Sequence, residues 1–320
     1  MSQNSFTTSR RLFITGSLMT VAGSVLPSVG TRLFAQEASL TGAEFRASGK
    51  NAKILTQRLR GNISVLMGSG GNIIVLPGAE GLLTVDSGLA TSRAQIRTAL
   101  DAMSPDPVRH LLNTHWHFDH TDGNEWMHLA GATIVAHENT RKRMSQRQAI
   151  PAFSIVLDPS PAAALPTVVF SQSQELKLNG ETILMKRYTP AHTDSDVSVF
   201  FESANVLHTG DTWFHGYYPF IDYDSGGSID GMIVASSENL ERTDAQTLVL
   251  PGHGEIGSRT DLIAFHEMLV DVRGRISSLK NNGLSLPGII AAKPTEKYDK
   301  SLAGGFVSPD LFARLVYRGV

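Results

Sequence analysis

Within six positions the chain sets three imidazoles and a carboxylate: His115-Trp116-His117-Phe118-Asp119-His120. Imidazole and carboxylate are the ligands Zn2+ accepts where thiolate is lacking, and the 320 residues include no cysteine. That lack also excludes disulfides and thiolate nucleophiles. Helix-borne zinc motifs place their histidines four apart. His115 and His117 are two apart, which fits a strand-end loop, where alternate side chains point the same way and can pinch one ion. Asp119 and His120 lie past that point, free to turn toward a second ion. A histidine-rich surface loop would explain one such residue. It does not explain the run together with the ligand-type residues that follow.

Those residues stand at three later points: Pro190-Ala191-His192-Thr193-Asp194, His208-Thr209-Gly210-Asp211-Thr212 and Pro251-Gly252-His253-Gly254. Each follows a short branched or apolar stretch, at 182–188, 206–208 and 247–250, that reads as a strand. The first motif follows another at 108–113. Strand ends held by a rigid sheet are where sites tend to be built. Further strands are expected at 63–67, 72–76, 82–86, 132–136, 168–170, 175–178 and 197–201. Helices are expected at 92–103, 124–129, 138–146, 228–241 and 261–279, with two shorter ones near 287–292 and 309–317. Residues 36–60 read as a polar lead-in. Residues 147–166, with four prolines, read as a loop. Gly68-Ser69-Gly70-Gly71 has neither the lysine nor the following helix of a phosphate loop, and reads as a hairpin turn. Strands in blocks with helices between and after them suggest sheet layers covered by helices in one mixed α+β domain.

The ordered set His115-x-His117-x-Asp119-His120, His192, Gly210-Asp211 and Gly252-His253-Gly254 resembles the motifs of the metallo-β-lactamase superfamily, over about residues 63–253. The resemblance implies a four-layer αββα sandwich, followed here by C-terminal helices, with two Zn2+ at one edge. Carried over position by position, it implies that His115, His117 and His192 hold one ion, that Asp119, His120 and His253 hold the other, and that Asp211 bridges them. Asp86 falls where the family often has a supporting aspartate and is read as orienting a ligand imidazole; a turn aspartate ending a strand is the plainer reading. The well-known lactamases carry cysteine or serine near the bridging position. Glyoxalase II, many lactonases and phosphodiesterase relatives carry aspartate, so the resemblance favours hydrolase chemistry over the lactamase name.

The implied reaction is attack of an ionised water on a carbonyl carbon, the water's pKa being lowered between two cations from about 15.7 to about 7. Asp119 and Asp211 are the catalytic residues in this reading, Asp119 also orienting the water or receiving its proton. No Gly-x-Ser-x-Gly elbow appears, and no serine nucleophile is needed. The aromatic stretch after Asp211 offers Trp213, Tyr217 and Tyr218 as walls of an apolar substrate pocket; packing of that loop onto the sheet is the alternative. His208 is read as supporting or packing, and His215 as a loop residue. His110, His128, His137 and His266 are given no role.

Composition narrows the partners. A formal net charge of −2 gives no sign of a nucleic-acid binder, which usually shows a basic surplus. A small-molecule substrate is expected, a lactam, lactone, ester or thioester. Phosphodiester or sulfate-ester cleavage is the rival within the enzyme class. Outside it stand a diiron redox protein, whose relatives usually carry glutamate at the second histidine and need a flavin domain, and a non-catalytic zinc-binding protein. Arg10-Arg11 precede a short, mild apolar run at 14–26, too short for a membrane span and laid out like a twin-arginine export signal. Residues 1–35 are expected to be that signal, cleaved near Ala35, with 36–320 a periplasmic bacterial hydrolase domain lacking a stable membrane anchor. Oligomeric state is not legible.

Overall fold

The computed structural model describes residues 42–320; the expected signal, with Arg10-Arg11 and Ala35, lies outside the described residues. After helix α1 (Gly42–Ser48), a first sheet takes β1 (Leu55–Arg58), β2 (Ser64–Met67), β3 (Ile73–Leu76), β4 (Leu82–Val85), β5 (Val108–Leu112) and β6 (Thr133–His137). Helices α2 (Arg93–Asp101), α3 (Phe118–Thr121), α4 (Asn124–Leu129) and α5 (Glu138–Met144) are interleaved with these strands. A separate hairpin, β7 (Gln148–Ile150) with β8 (Ile155–Leu157), comes next, and β9 (Val168–Phe170) then closes the first sheet beside β6. A second sheet runs β10 (Ser173–Leu178), β11 (Glu181–Arg187), β12 (Val197–Phe201), β13 (Val206–His208), with β15 (Leu248–Leu250) at its edge. The short strands β14 (Phe214–His215) and β16 (His253–Gly254) pair in parallel. Helices α6 (Ile229–Glu241) and α7 (Arg259–Asn281) precede three C-terminal ones, α8 (Leu286–Ala291), α9 (Glu296–Leu302) and α10 (Pro309–Arg318).

The layering follows from strand periodicity, since successive side chains face opposite sides of a sheet. In the first sheet, Val65, Ile74, Leu76, Leu83 and Val85 face Ile183, Met185, Val199, Phe201 and Val206 of the second. Their neighbours Leu66, Ile73, Val75 and Leu82 face the other way, onto Ile96 and Leu100 of α2 and Trp126 and Met127 of α4. On the far side of the second sheet, Leu207 and Val249 pack against Met232 and Ala235 of α6 and Leu262 and Phe265 of α7. Helix, sheet, sheet, helix: the αββα sandwich. Truncating one of the fully buried inter-sheet residues, such as Phe201, to alanine would cost about 3–5 kcal/mol. Among the described residues no helix is long and apolar enough to cross a membrane.

Topology brings the ligand-bearing loops to one edge. β4 runs parallel to β5, so residues after Val85 and after Leu112 leave the first sheet on the same side. β11 and β13 are both antiparallel to β12, and β13 is parallel to β15, so the loops after all three leave the second sheet together. Two bonds sew these edges to each other: Val197 N donates to Thr114 O at 2.8 Å, and Asn72 N to Gly252 O at 2.8 Å.

Several expectations shift. Residues 147–166 contain the β7–β8 hairpin rather than an unstructured loop. Its strands are three residues long, too short to show a period, yet Ile150, Ile155 and Leu157 turn inward while Val156 is exposed. The 36–60 lead-in holds α1 and the edge strand β1, whose four residues are all exposed and so carry no apolar pattern. Helix α9 was also not expected: none of its residues is buried. The 68–71 cluster is the turn of the β2–β3 hairpin, as read.

Candidate metal centre

The loop after β5 carries His115 and His117, and the single turn α3 carries Asp119 and His120. Thr121 Oγ1 fastens that turn by donating to the His117 carbonyl at 3.0 Å. The other three residues arrive from the second sheet: His192 after β11, Asp211 in the turn after β13, His253 in β16. The seven form two clusters, His115, His117, His192 and Asp211 in one, and Asp119, His120 and His253 in the other. Within each cluster the donor atoms lie within 4.8 Å of one another. Asp211 touches both, its Oδ2 lying 3.5 Å from His192 Nε2 and 3.5 Å from His253 Nε2, its Oδ1 3.2 Å from His120 Nε2.

The outer ring nitrogens explain how the inner ones point. Asp86 accepts from His120 Nδ1 at 2.8 Å. It also accepts from Thr114 Oγ1 at 2.8 Å and Thr114 N at 2.8 Å. The Thr114 hydroxyl, having donated to Asp86, can only accept from His115 Nδ1, 3.0 Å away. Asp222 accepts from His117 Nε2 at 2.9 Å, and the Phe220 carbonyl from His192 Nδ1 at 2.8 Å. With a proton fixed on each outer nitrogen, the inner nitrogen of each ring presents a lone pair to the centre. Two of these inner nitrogens, His117 Nδ1 and His192 Nε2, face each other at 2.8 Å, and His115 Nε2 is buried with no hydrogen-bond partner. Lone pairs gathered this closely repel unless a cation or proton lies among them. Zinc–nitrogen bonds of about 2.0–2.1 Å imply tetrahedral ligand separations of roughly 3.3–3.4 Å. The spacings of 3.1 Å from His253 Nε2 to Asp119 Oδ2 and 3.3 Å from His253 Nε2 to His120 Nε2 lie close to that. The donor set therefore fits metal ions.

Electrostatics point the same way. Burial pushes the Asp211 carboxyl up, but the charges of His120, His253 and His115 outweigh it and hold it well below the usual range. Burial also opposes ionisation of Asp119, which His120 and His253 nevertheless hold at about 2. Burial would discharge His253, but Asp211 and Asp119 raise it to about 9. His120 is raised well above normal by Asp211, Asp119 and Asp86, against its burial. Burial holds His192 at about 4, and burial with the nearby His120 charge pushes His115 well below its usual value. Without metal, protons on His120 and His253 balance the carboxylates; cations binding there would displace them.

Close approach explains three glycines. A methyl group at Gly71 would overlap the His120 ring, one at Gly70 the Asp119 carbonyl, and one at Gly252 the Asp211 carboxylate. The β2–β3 turn is thus a brace against the ligand segment, with Gly71 N donating to Asp119 O at 3.1 Å. Asn72 Nδ2 extends it to the Pro251 and Gly254 carbonyls at 3.0 and 2.9 Å. His208 belongs to this scaffold: its Nδ1 accepts from Gly210 N at 3.0 Å.

The pocket walls differ from expectation. Trp213, Tyr217 and Tyr218 do not line the pocket over the clusters; they are buried behind it in the core under α7 and α10. Trp213 stacks on His215 at 4.9 Å, and Tyr218 stacks on Phe312 at 4.8 Å and donates to Asp299 Oδ1 at 2.7 Å. The Tyr218 hydroxyl is thereby satisfied in the core. Phe220, from the same loop, takes the wall position, joined by Phe45, Phe118, Phe153 and Phe306. Ile150 and Ile155 of the β7–β8 hairpin complete it, around an open volume of about 580 Å3. Sequence reasoning also passed over Asp222, which stood in the aromatic loop without a strand end to mark it.

A model of the metallo-beta-lactamase superfamily matches residues 66–253, more than half of the sequence and all seven clustered residues. The chain belongs to that superfamily. Among curated relatives, a probable metallo-hydrolase of Methanocaldococcus jannaschii is 28% identical over 59% of this chain and 85% of its own length. A hydroxyacylglutathione hydrolase of Methylococcus capsulatus is 30% identical over 43% of this chain and 45% of its own; the chain spans about half the length of such relatives. A metallo-beta-lactamase from Pontibacter korlensis shares the fold at TM-score 0.58 and 16% identity, over 68% of this chain and 100% of that one. The stereoselective inverting sec-alkylsulfatase from Pseudomonas sp. shares it at TM-score 0.66 and 15% identity, over 83% and 50%. Superfamily membership supports a hydrolase, and the histidine–aspartate clusters support a metal cofactor.

Proposed function

We propose that this chain is a dinuclear zinc hydrolase that cleaves a small carbonyl substrate, a lactam, lactone, ester or thioester. His115, His117 and His192 would hold one ion, Asp119, His120 and His253 the other, and Asp211 both. The observation carrying this reading is that the inner nitrogens of His115, His117, His120 and His192 are each aimed at the centre by an acceptor on the outer nitrogen. When bound, the two ions supply Lewis acidity and lower the pKa of water at the site. The carboxylate of Asp211 faces both clusters, Oδ2 lying between His192 and His253 and Oδ1 beside His120. Asp119 is the most exposed of the seven, at 13%, and lines the pocket. Held ionised, it is placed to accept a proton from the attacking water and return it to the leaving group. Asp222 and Asp86 keep His117 and His120 in the ligating tautomer. The apolar wall excludes bulk water from the carbonyl.

The test is a panel of nitrocefin, a γ-lactone, a thioester and a phosphodiester, given to zinc-loaded protein with and without chelator. Chelator-sensitive turnover of a carbonyl substrate, abolished by His117→Ala, is expected. Turnover of the phosphodiester alone, or full activity in His117→Ala, would overturn the reading. We propose also that residues 1–35 direct twin-arginine export to the periplasm, supported by Arg10-Arg11 ahead of the apolar run. Replacing both arginines with lysine should leave the protein in the cytoplasm of a bacterial host; unaltered export would refute this.

A further inference from the structure

The wall of the pocket carries information that the metal ligands do not. Five phenylalanines from separate stretches of chain line it: Phe45, Phe118, Phe153, Phe220 and Phe306. The rings fall into two contacting groups. Phe45 meets Phe118 edge-on at 5.4 Å, and Phe153 contacts both Phe220 at 4.8 Å and Phe306 at 5.6 Å. Phe220 reaches the first cluster, 5.9 Å from His192, and Phe306 the second, 5.9 Å from His253. An apolar surface thus runs from one cluster to the other on the substrate side.

Among the described residues, no lysine or arginine lines this pocket, and the titratable ones that do are His117, Asp119, His192, Asp211 and His253, all assigned above to metal. The arginines of the neighbouring pocket behind Phe118 are already paired. Arg46 meets Asp122 Oδ1 through Nε and Nη2 at 3.2 and 2.9 Å, and Arg143 clasps Asp194 at 2.6 and 2.7 Å. An anionic substituent on a substrate would lose its hydration against phenyl rings and gain no counter-charge, which is costly. A hydrocarbon chain would gain from the same surface.

Building on the hydrolytic reading above, we propose that the substrate is a neutral ester or lactone whose acyl or alcohol part is an apolar chain or ring, and that Phe153 and Phe306 set this specificity. In the reaction, water oxygen bonds to the carbonyl carbon and the carbon–oxygen ester bond breaks. The alcohol leaves with a proton, tethered in the lactone case, and a carboxylic acid remains.

The experiment compares 4-nitrophenyl acetate, butyrate and hexanoate with the mono-4-nitrophenyl ester of adipic acid, which has the six-carbon chain but ends in a carboxylate. Zinc-loaded full chain is used, with a chelator blank. A rise in kcat/KM of about fourfold per buried methylene is expected along the neutral series, with the adipate ester about tenfold or more below hexanoate. Calorimetric binding of 2-pentanone, 2-heptanone and 2-nonanone, which cannot be hydrolysed, should follow the same trend. Phe153→Ala and Phe306→Ala should flatten both trends, and Phe153→Leu should restore much of the slope. Equal or better turnover of the adipate ester, or ketone affinity independent of chain length, overturns the proposal; the wild-type comparisons decide this even if the variants fold poorly. If the ketones bind with the expected slope but no ester is cleaved, the hydrolytic reading fails and the apolar site stands. If esters are cleaved without chain preference, the reverse holds.

Discussion

Asp86→Asn changes little in shape at a point where ligands of both clusters are tied. Three donors converge on this carboxylate: Thr114 N, Thr114 Oγ1 and His120 Nδ1, each at 2.8 Å. An amide offers one oxygen and one NH2 group, so at least one of these buried donors must face another donor, at a cost of about 1–3 kcal/mol. The backbone is no obstacle. Asp86 sits at φ 64°, a left-handed region that asparagine tolerates as well as aspartate. Loss of a partner behind a metal ligand lowers metal affinity by about 10–100-fold. Asp86 serves His120 directly and His115 through Thr114, so the upper end is expected for both ions, about 100-fold or about 2.7 kcal/mol each. Competition against a chromogenic zinc chelator measures this, with Asp222→Asn as comparator. Asp222 supports His117 and, through Oδ1, the Ser225 amide, so its loss should weaken only the first ion, by about tenfold. Asp86→Asn protein that keeps both ions at wild-type affinity would refute the tautomer argument.

Gly252→Ala should displace the Asp211 carboxylate, which its new methyl would overlap. Zinc content after dialysis is expected to fall below one ion per chain with the fold retained by circular dichroism; two retained ions would contradict the contact. Removing metal should make stability depend on pH in both directions. His253, raised to about 9, contributes stability that is complete below about pH 6.5 and is lost as pH climbs through 9. His192, held at about 4, contributes stability present above about 6.5 and lost as pH falls through 4. Calorimetry of chelator-treated protein should therefore show a melting temperature highest near neutrality, falling by on the order of several degrees on each limb. The zinc-loaded protein should be flatter on the alkaline side; two identical alkaline limbs would speak against proton-for-metal exchange.

The clustering of these seven residues was legible because four share one run past a strand and the other three follow strands in short motifs with glycine or proline, and strand ends on one edge converge whatever the loops do. The layers were legible where a strand is buried on both faces, as at Ile73–Leu76. Short or exposed elements were not. Gln148–Ile150 is too brief to show a period, and Leu55–Arg58 is wholly exposed, so neither pattern separates from a loop. In the sequence, which aromatics wall the pocket stays open between two readings for a related reason. Trp213, Tyr217 and Tyr218 lie closer in sequence to Asp211 than Phe220, but which rings face the site depends on the turn of the 212–228 loop against α10. Phe45, Phe153 and Phe306 come from segments with no sequence link to the motifs. Asp222 and Thr114 act through a neighbour's ring, and no spacing rule marks such a residue.

Two cations sharing Asp211 is the claim on which the rest depends. Anomalous diffraction at the zinc edge, on crystals of the purified protein, tests it most directly. Two peaks are expected, one among His115, His117 and His192, the other among Asp119, His120 and His253, with the Asp211 carboxylate between them. A single peak, or metal bound away from these seven side chains, would contradict the account.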